Sequence, residues 1–309
     1  MRYRHVALIG LGLIASSISH AIRRAGMETR ITGHARTGKS REEAARLGLG
    51  EIFPTAAEAV EGADLVILCV PVGAMAEVAR EIAPYLAPGA TVTDVGSVKQ
   101  AVIDAVAPHL PPHVEFIPGH PIAGTEQSGP EAGFAELFDN RWCILTPPSG
   151  SAAVATERLK AFWEALGSNV EVMTAEHHDL VLAITSHLPH LIAFNIVNTA
   201  EHLKRVTDSE VIKFSAGGFR DFTRIAASDP VMWRDVFLNN KEAVLHMLRR
   251  FNEDLGVLEQ AIRSDDGATL HRLFEAARVV RRGIIDAGQD TASPNFGRAP
   301  SAPSKPRST

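Results

Sequence analysis

From its first residues to about residue 174 the chain alternates short apolar runs with helix-like stretches, and nothing else in it constrains the fold as strongly. The runs are HVALIG (5–10), TRITGHA (29–35), ADLVILCVP (63–71), TVTDVGS (91–97), VEFIPGH (114–120), WCILTP (142–147) and NVEVMT (169–174). Strands joined through helices build a mostly parallel sheet covered on both faces, so residues 1–174 are expected to form a doubly wound α/β domain. Beyond 174 the strand signals stop. Long helical patterns punctuated by SAGGF (215–219), SDP (228–230) and SDDG (264–267) predict an all-helical domain over 175–287. Asp229 before Pro230 has the chemistry of a helix cap and first turn, so a long helix is expected to start there. Within it Val244, Leu248, Phe251, Leu255, Leu258 and Ile262 are spaced by four and three, an apolar seam that serves as helical core or as a subunit contact. Residues 288–309, rich in Pro, Ser and Gly with no apolar face, read as a disordered tail.

A length of 309 residues accommodates two domains, and 45% apolar with 22% charged residues excludes wholesale disorder. A net charge of -5 gives no general attraction toward nucleic acid or anionic lipid, so any anion must be caught locally. Cys69 and Cys143 both lie in apolar runs, where thiols behave as buried hydrophobes, and neither a disulfide nor a cysteine zinc site follows. The N-terminus reaches glycine too early for a secretory signal, and no later stretch is read as approaching the roughly 20 apolar residues of a membrane span. A cytoplasmic protein with no membrane or nucleic-acid partner is expected.

Directly after the strand HVALI stand Gly10, Gly12 and Ala15 in G-L-G-L-I-A, and a helical pattern follows. This is the setting of a Rossmann-type dinucleotide turn: Gly10 makes the turn, Gly12 lets backbone approach a pyrophosphate, and Ala15 keeps the helix close to the strand. Leu13 and Ile14 open that helix, whose amides and dipole favour the anion. Val70 and Pro71, at the end of the third apolar run, complete the expected cofactor wall. NAD sites present an acid about 20 positions on. Here the sequence reads Gly33-His34-Ala35-Arg36-Thr37, without one, so His34, Arg36 and Thr37 suit the 2'-phosphate of NADP or a dual preference, unless Arg36 is a solvated loop residue.

Polar residues then gather where further strands end: DVGSVK (94–99), GHPIAGTE (119–126) and SHLPH (186–190). Ligands of open α/β sheets collect at those ends, which brings Ser97 and His120 to the reactive end of a dinucleotide. A serine there orients a histidine, and a histidine near neutrality takes a proton from a hydroxyl as the same carbon is oxidised.

The motifs GLGLIA (10–15), DVGSVK (94–99), GHPIAGTEQSG (119–129), SHLPH (186–190), GGFRDFTRIA (217–226) and DPVMW (229–233), in this order through nearly the whole chain, resemble those of the prephenate and arogenate dehydrogenases. The resemblance implies a Rossmann domain, a helical domain through which two copies pair, and an active site in the cleft between them. It implies oxidative decarboxylation of a cyclohexadienol with NAD or NADP, driven by aromatisation. It places His120 as acceptor for the substrate hydroxyl with Ser97 as its partner, His190 and Arg224 on the substrate, and Arg224 as a carboxylate clamp.

Other readings of these residues stand beside that one. His187 and His190 share a helical face as metal ligands do, but Pro189 disturbs the helix and no cysteine is near, so no metal is assigned. The pair His177-His178 reads most simply as the solvated start of a helix, with Asp179 beside it leaving a metal reading open. Arg220, Asp221 and Arg224 form either a surface ion-pair network or, after the glycines at 217 and 218, a shaped substrate loop to which Gly217 contributes. Trp233 is helical core or cleft lining. Glu126 orients His120, gates the pocket, contacts the ammonium that distinguishes arogenate from prephenate, or is a solvated loop acid. The competing functions are another two-domain dehydrogenase of the β-hydroxyacid type, disfavoured because His187, Pro189 and His190 stand where such enzymes place a lysine, and a nucleotide-sensing protein without turnover.

Overall fold

The computed structural model describes residues 2–125, 127–202 and 217–286. Strands β1 (His5–Ile9), β2 (Arg30–His34), β3 (Glu51–Ile52), β4 (Leu65–Leu68), β5 (Thr91–Asp94) and β6 (Glu115–Phe116) form one parallel sheet in the order β3-β2-β1-β4-β5-β6. Helices α1 (Leu13–Arg24), α2 (Gly38–Arg46), α3 (Ala56–Val60), α4 (Met75–Ile82) and α5 (Gln100–Val106) make the crossovers. The strand order reverses between β1 and β4, which opens a ligand crevice above their carboxyl ends. Alternate residues of β1 serve opposite faces: Leu8 packs with Ile18, Phe138 and Trp163, while Ala7 and Ile9 pack with Val60, Met75 and Val102. The doubly wound α/β expectation is met. The two-residue β3 carries too short a pattern to read in advance.

The run VEFIPGH behaves differently from its reading as one strand. Ile117 N donates to Val92 O at 2.9 Å, in the first sheet, whereas the Pro118 carbonyl accepts from Thr146 N at 2.9 Å, in a second. Pro118 has no N–H for the first ladder, so the chain changes sheets there. The second sheet joins β7 (Gly119–Pro121) antiparallel to β8 (Trp142–Leu145), which runs parallel to β9 (Asn169–Val172). His120 thus sits inside a short strand opposite Ile144.

After α6 (Ala153–Ala165), which supplies Phe162 and Trp163 to the core, Thr174 caps α7 (Ala175–Leu182) by accepting from His177 N. A π-helical turn at Ala183–His187 leads into α8 (Leu188–His202). Pro189 lacks an N–H and its ring crowds the preceding turn, and the wider π turn lets the helix pass through it. The resulting helix, Ala175–His202, is long and apolar enough by length and composition to cross a membrane, which corrects the expectation that no such stretch exists. His178, Asp179 and His187 are buried on it.

Three further readings change. Residues 217–227 are a helix, Gly217–Thr223, and a 3-10 turn, Arg224–Ala227, where a loop is expected from the glycines; neighbouring packing overrides weak local propensity. The helix begun at Asp229, whose carboxylate accepts from Met232 N at 2.8 Å, ends at Asn239 and resumes over Lys241–Arg263. Asn240 breaks it because its side chain turns inward to bond buried groups. Helix Gly267–Asp286 closes the described chain. By contact the chain divides into two compact units, Met1–Met247 and Leu248–Thr309. Along the expected seam Val244 is buried, but Leu255 and Ile262 are 45% and 64% exposed among the described residues. The tail 288–309 lies outside the described residues.

Candidate active site

Gly10 adopts φ +101°, and a Cβ there would stand 2.7 Å from the Cys69 backbone and 2.9 Å from Val70 Cγ1, so only glycine fits. Its N–H donates to His34 O at 2.8 Å, tying the turn to the end of β2. At Gly12, by contrast, a Cβ would meet nothing within 4 Å. Gly12 is the N-cap of α1, no side chain caps that helix and no acid lies in its first turn. The amides of Leu13 and Ile14 therefore keep their donor capacity for an anion, while Ala15 is fully buried against the sheet. These residues fit a dinucleotide pyrophosphate. Val70 packs against the turn and Pro71 is exposed beside it. Around the β2 end, His34 Nδ1 is 3.1 Å from Phe53 O, and the Thr37 hydroxyl caps α2, accepting from Ser40 N and donating to Ser40 Oγ. Arg36 is exposed.

The loop after β5 is held by a buried ion pair. Lys99 Nζ donates to Asp94 Oδ2 and, at 2.6 Å, to Gly119 O, and Asp94 also accepts from Gly96 N and Gly119 N. Burial pushes the Asp94 carboxyl up and the Lys99 amine down, against the attraction of each for the other. The pair locks the Ser97 loop to the start of β7, the strand that carries His120.

His120 is 7% exposed, and its Nδ1 lies 2.8 Å from His178 Nε2. The sequence reading pairs His120 with Ser97; the structure gives that position to His178, and Ser97 stands half-buried in the neighbouring loop. His178 Nδ1 lies 2.8 Å from Asp179 Oδ1, and the Asp179 carboxylate also accepts from Lys99 N at 2.8 Å and Gln100 N at 2.9 Å. His178 is therefore no solvated helix start: it is fully buried, and only His177 faces out. Burial holds the His120 imidazole well below its usual value, and His178, Lys99 and His187 push the same way. Burial alone would raise Asp179, but the bonds from His178, Gln100 and Lys99 outweigh it and keep the carboxyl below its usual value.

His187, on the π turn, is fully buried; Asn240 Nδ2 donates to its Nδ1 at 3.1 Å and to Asp179 O at 2.8 Å. Burial pushes His187 down to about 4. His190 donates through Nδ1 to Ser186 O at 2.8 Å, and its ring stacks on Trp233 with centroids 3.6 Å apart. Trp233 belongs to the buried core cluster against which Val70 and Val72 pack, as its helical-core reading has it. Arg224 is exposed and its charge reaches His190, lowering that imidazole after burial does. Asp221 is half-buried, with Arg220 Nε at 3.5 Å, and Gly217 lies beside it. Glu126 lies outside the described residues. Sequence reasoning missed His178, Asp179 and Asn240 as site residues; an adjacent imidazole and carboxylate behind a Thr cap was the one local signal.

Two family models match most of the chain: "Prephenate dehydrogenase, nucleotide-binding domain" over residues 18–172 and "Prephenate dehydrogenase, dimerization domain" over 174–276. The chain belongs to the prephenate dehydrogenase family. It is 42% identical to a cyclohexadienyl dehydrogenase of Zymomonas mobilis over 91% of this chain and 96% of that one. The crystal structure of a prephenate dehydrogenase from A. aeolicus, in complex with hydroxyphenyl propionate and NAD+, superposes with a TM-score of 0.85 at 35% identity, covering 92% of this chain and 99% of that one. A Synechocystis arogenate dehydrogenase matches with a TM-score of 0.75 at 27% identity over 90% and 99%. As a prephenate dehydrogenase family member the protein is an NAD(P)-dependent oxidoreductase, and the family converts prephenate to 4-hydroxyphenylpyruvate with loss of carbon dioxide. The β-hydroxyacid and non-catalytic alternatives fall with this assignment.

Proposed function

We propose that this chain oxidises both prephenate and arogenate, with NADP used at least as well as NAD, in a cytoplasmic homodimer. The observation that carries the reading is His120, buried and bonded through Nδ1, so that Nε2 is the nitrogen left for a ligand; among the described residues no hydrogen bond occupies it. A bound nicotinamide dinucleotide supplies the two-electron oxidant. His120 Nε2 accepts the proton of the substrate hydroxyl, Ser97 contacts the reacting ring, and Arg224 grips a carboxylate in a charge-assisted fork. As the hydroxyl-bearing carbon is oxidised, the ring carboxylate leaves as carbon dioxide and the ring becomes aromatic, so the site has chiefly to orient the substrate and hold its charge. His187, His190 and Trp233 shape the pocket wall, Gly217 and Asp221 join Arg224 in binding substrate, and Glu126 is assigned to the group that distinguishes the two substrates.

Arg36, exposed at the end of a second strand that lacks an acid, supports the NADP preference, with His34 and Thr37 shaping the loop around it. Relatives named for prephenate, arogenate and cyclohexadienyl substrates support dual use. The pairing rests on the exposed apolar side chains of the last two helices, among them Leu255, Ile262, Phe274 and Val280, and on the match of residues 174–276 to the family's dimerization domain. The domain limits 1–174 and 175–287 are part of the same reading.

One assay tests it: purified protein with each substrate and each nucleotide, following reduced nicotinamide and carbon dioxide together. Turnover with both substrates and a lower KM for NADP are expected. Turnover with one substrate alone, or a clear NAD preference, overturns the corresponding half.

A further inference from the structure

We infer that Asp179 and His178 are positioning residues that fix the tautomer of His120 and take up the charge of the proton it receives. This rests on the reading of His120 as the acceptor of the substrate hydroxyl proton.

The inference starts at the carboxylate. Asp179 accepts two backbone N–H bonds, from Lys99 and Gln100, and an ionised carboxylate is an acceptor only. His178 Nδ1, 2.8 Å from Asp179 Oδ1, must then be the donor. A neutral His178 with its proton on Nδ1 has a lone pair on Nε2, and His120 Nδ1, 2.8 Å away, must donate to it. The proton of His120 is thereby assigned to Nδ1 and its lone pair to Nε2, the state a proton acceptor at Nε2 needs. Neither ring has freedom to reverse the order, because His178 is fully buried and Asp179 is 6% exposed, with its own carbonyl bonded by Asn240.

When Nε2 of His120 binds the substrate proton, the Nδ1–H bond of His120 breaks as an Nε2–H bond forms on His178. The unit positive charge moves onto an imidazole bonded directly to the Asp179 carboxylate, and no oxidant or further partner is needed. The groups facing His120 favour this. Lys99 from the loop before α5 and His187 from the π turn place positive or protonatable atoms near it, and the Cys143 thiol, which meets the His120 backbone and is pushed up by burial, is neutral, whereas Asp179 offers its charge through His178 alone. Asp179 has a second consequence. By clamping the amides of residues 99 and 100 it holds the loop that carries Ser97, so one carboxylate sets both polar residues of the reacting face.

Nitrogen NMR of the full-length protein labelled at histidine reads the tautomers without turnover. The expected spectrum has His120 with a protonated Nδ1 and an unprotonated Nε2; a protonated Nε2 with a bare Nδ1 in the wild type overturns the assignment. For the charge transfer, His178→Gln keeps an acceptor oxygen for His120 Nδ1 but cannot take the second proton. Its His120 tautomer should be retained, its KM for prephenate unchanged, and its kcat lowered about tenfold, equivalent to about 1.4 kcal/mol of lost stabilisation. The acid limb of its kcat/KM profile should move to lower pH, because a His120 imidazolium without His178 and Asp179 is harder to form. An unchanged kcat and an unmoved limb overturn the charge transfer. Absence of turnover in a wild type with the expected tautomer sinks the proposed reaction and leaves the tautomer assignment standing.

Discussion

The glycine turn at Gly10–Ala15 and the histidine cluster around His120 occupy neighbouring parts of the same compact unit and are made of opposite materials. The turn is backbone: one strand end, one helix start and two glycines, all within residues 5–24, with an anion site produced by amides that no side chain caps. The cluster is side chain: His120 from β7, His178 and Asp179 from α7, His187 from the π turn and Asn240 from a helix break, each spending a polar atom on another. A backbone site tolerates side-chain change wherever space is open. A buried polar network does not, because each orphaned partner bears a full desolvation cost.

The largest expected effect lies in the cluster. His120→Asn should lower kcat by roughly 10²- to 10⁴-fold, the range of a lost acid–base group, while NADP affinity measured by titration stays within error. Unchanged turnover would remove His120 from the chemistry and dissolve the contrast between the two regions.

Next comes the acid response of the fold. His187 is held at about 4 in the folded protein against about 6.5 for an exposed imidazole, so its unfolded form binds protons first on acidification. Its contribution is complete above pH 6.5, is lost as pH falls from there toward 4, and is on the order of 3 kcal/mol over that window. Denaturant unfolding at a series of pH values should show this slope, and His187→Asn should flatten it. An equal slope in both proteins would show that the buried imidazole is not what acid attacks.

Arg224→Ala should raise the KM for prephenate by about tenfold to a hundredfold, from a charge-assisted bond of roughly 1.5 to 3 kcal/mol. A KM equal to wild type would return Arg224 to the surface ion-pair reading. On the turn, Gly12→Ala sharpens the comparison further: the methyl meets no protein atom within 4 Å, so the melting temperature should hold. Dinucleotide affinity should weaken by about tenfold, since the added group stands where the phosphates approach. A drop in stability without a loss of affinity would place the anion elsewhere. The smallest effect belongs to Arg36→Ala, which should raise the KM for NADP by about tenfold or less and leave that for NAD unchanged, as an exposed phosphate contact predicts.

Much of this architecture was legible along the chain. Apolar runs closed by Gly or Pro gave the strands of the parallel sheet, and the strand–glycine–helix order gave the cofactor turn, because both depend on residues adjacent in sequence. Asp229 and Pro230 gave a helix start for the same reason. Pro118, where the chain passes from one sheet to another, lay inside a run that looked continuous, since a missing N–H matters only once the neighbouring strands are known. His178 reads as a solvated helix start because the adjacent Asp179 alone does not say which face turns inward; that face is set by packing against the Ser97 loop.

By itself the sequence determined the longer strands of the parallel sheet, the glycine geometry at position 10 and which residues are able to exchange protons. Only the tertiary structure decided which of them meet, giving His120 to His178 rather than to Ser97 and turning Asn240 inward at the cost of a continuous helix. The physical reason is range. Backbone sterics and hydrophobic periodicity act over a few residues, whereas a buried proton relay is fixed by satisfying every donor and acceptor across elements 58 residues apart, as His120 and His178 are.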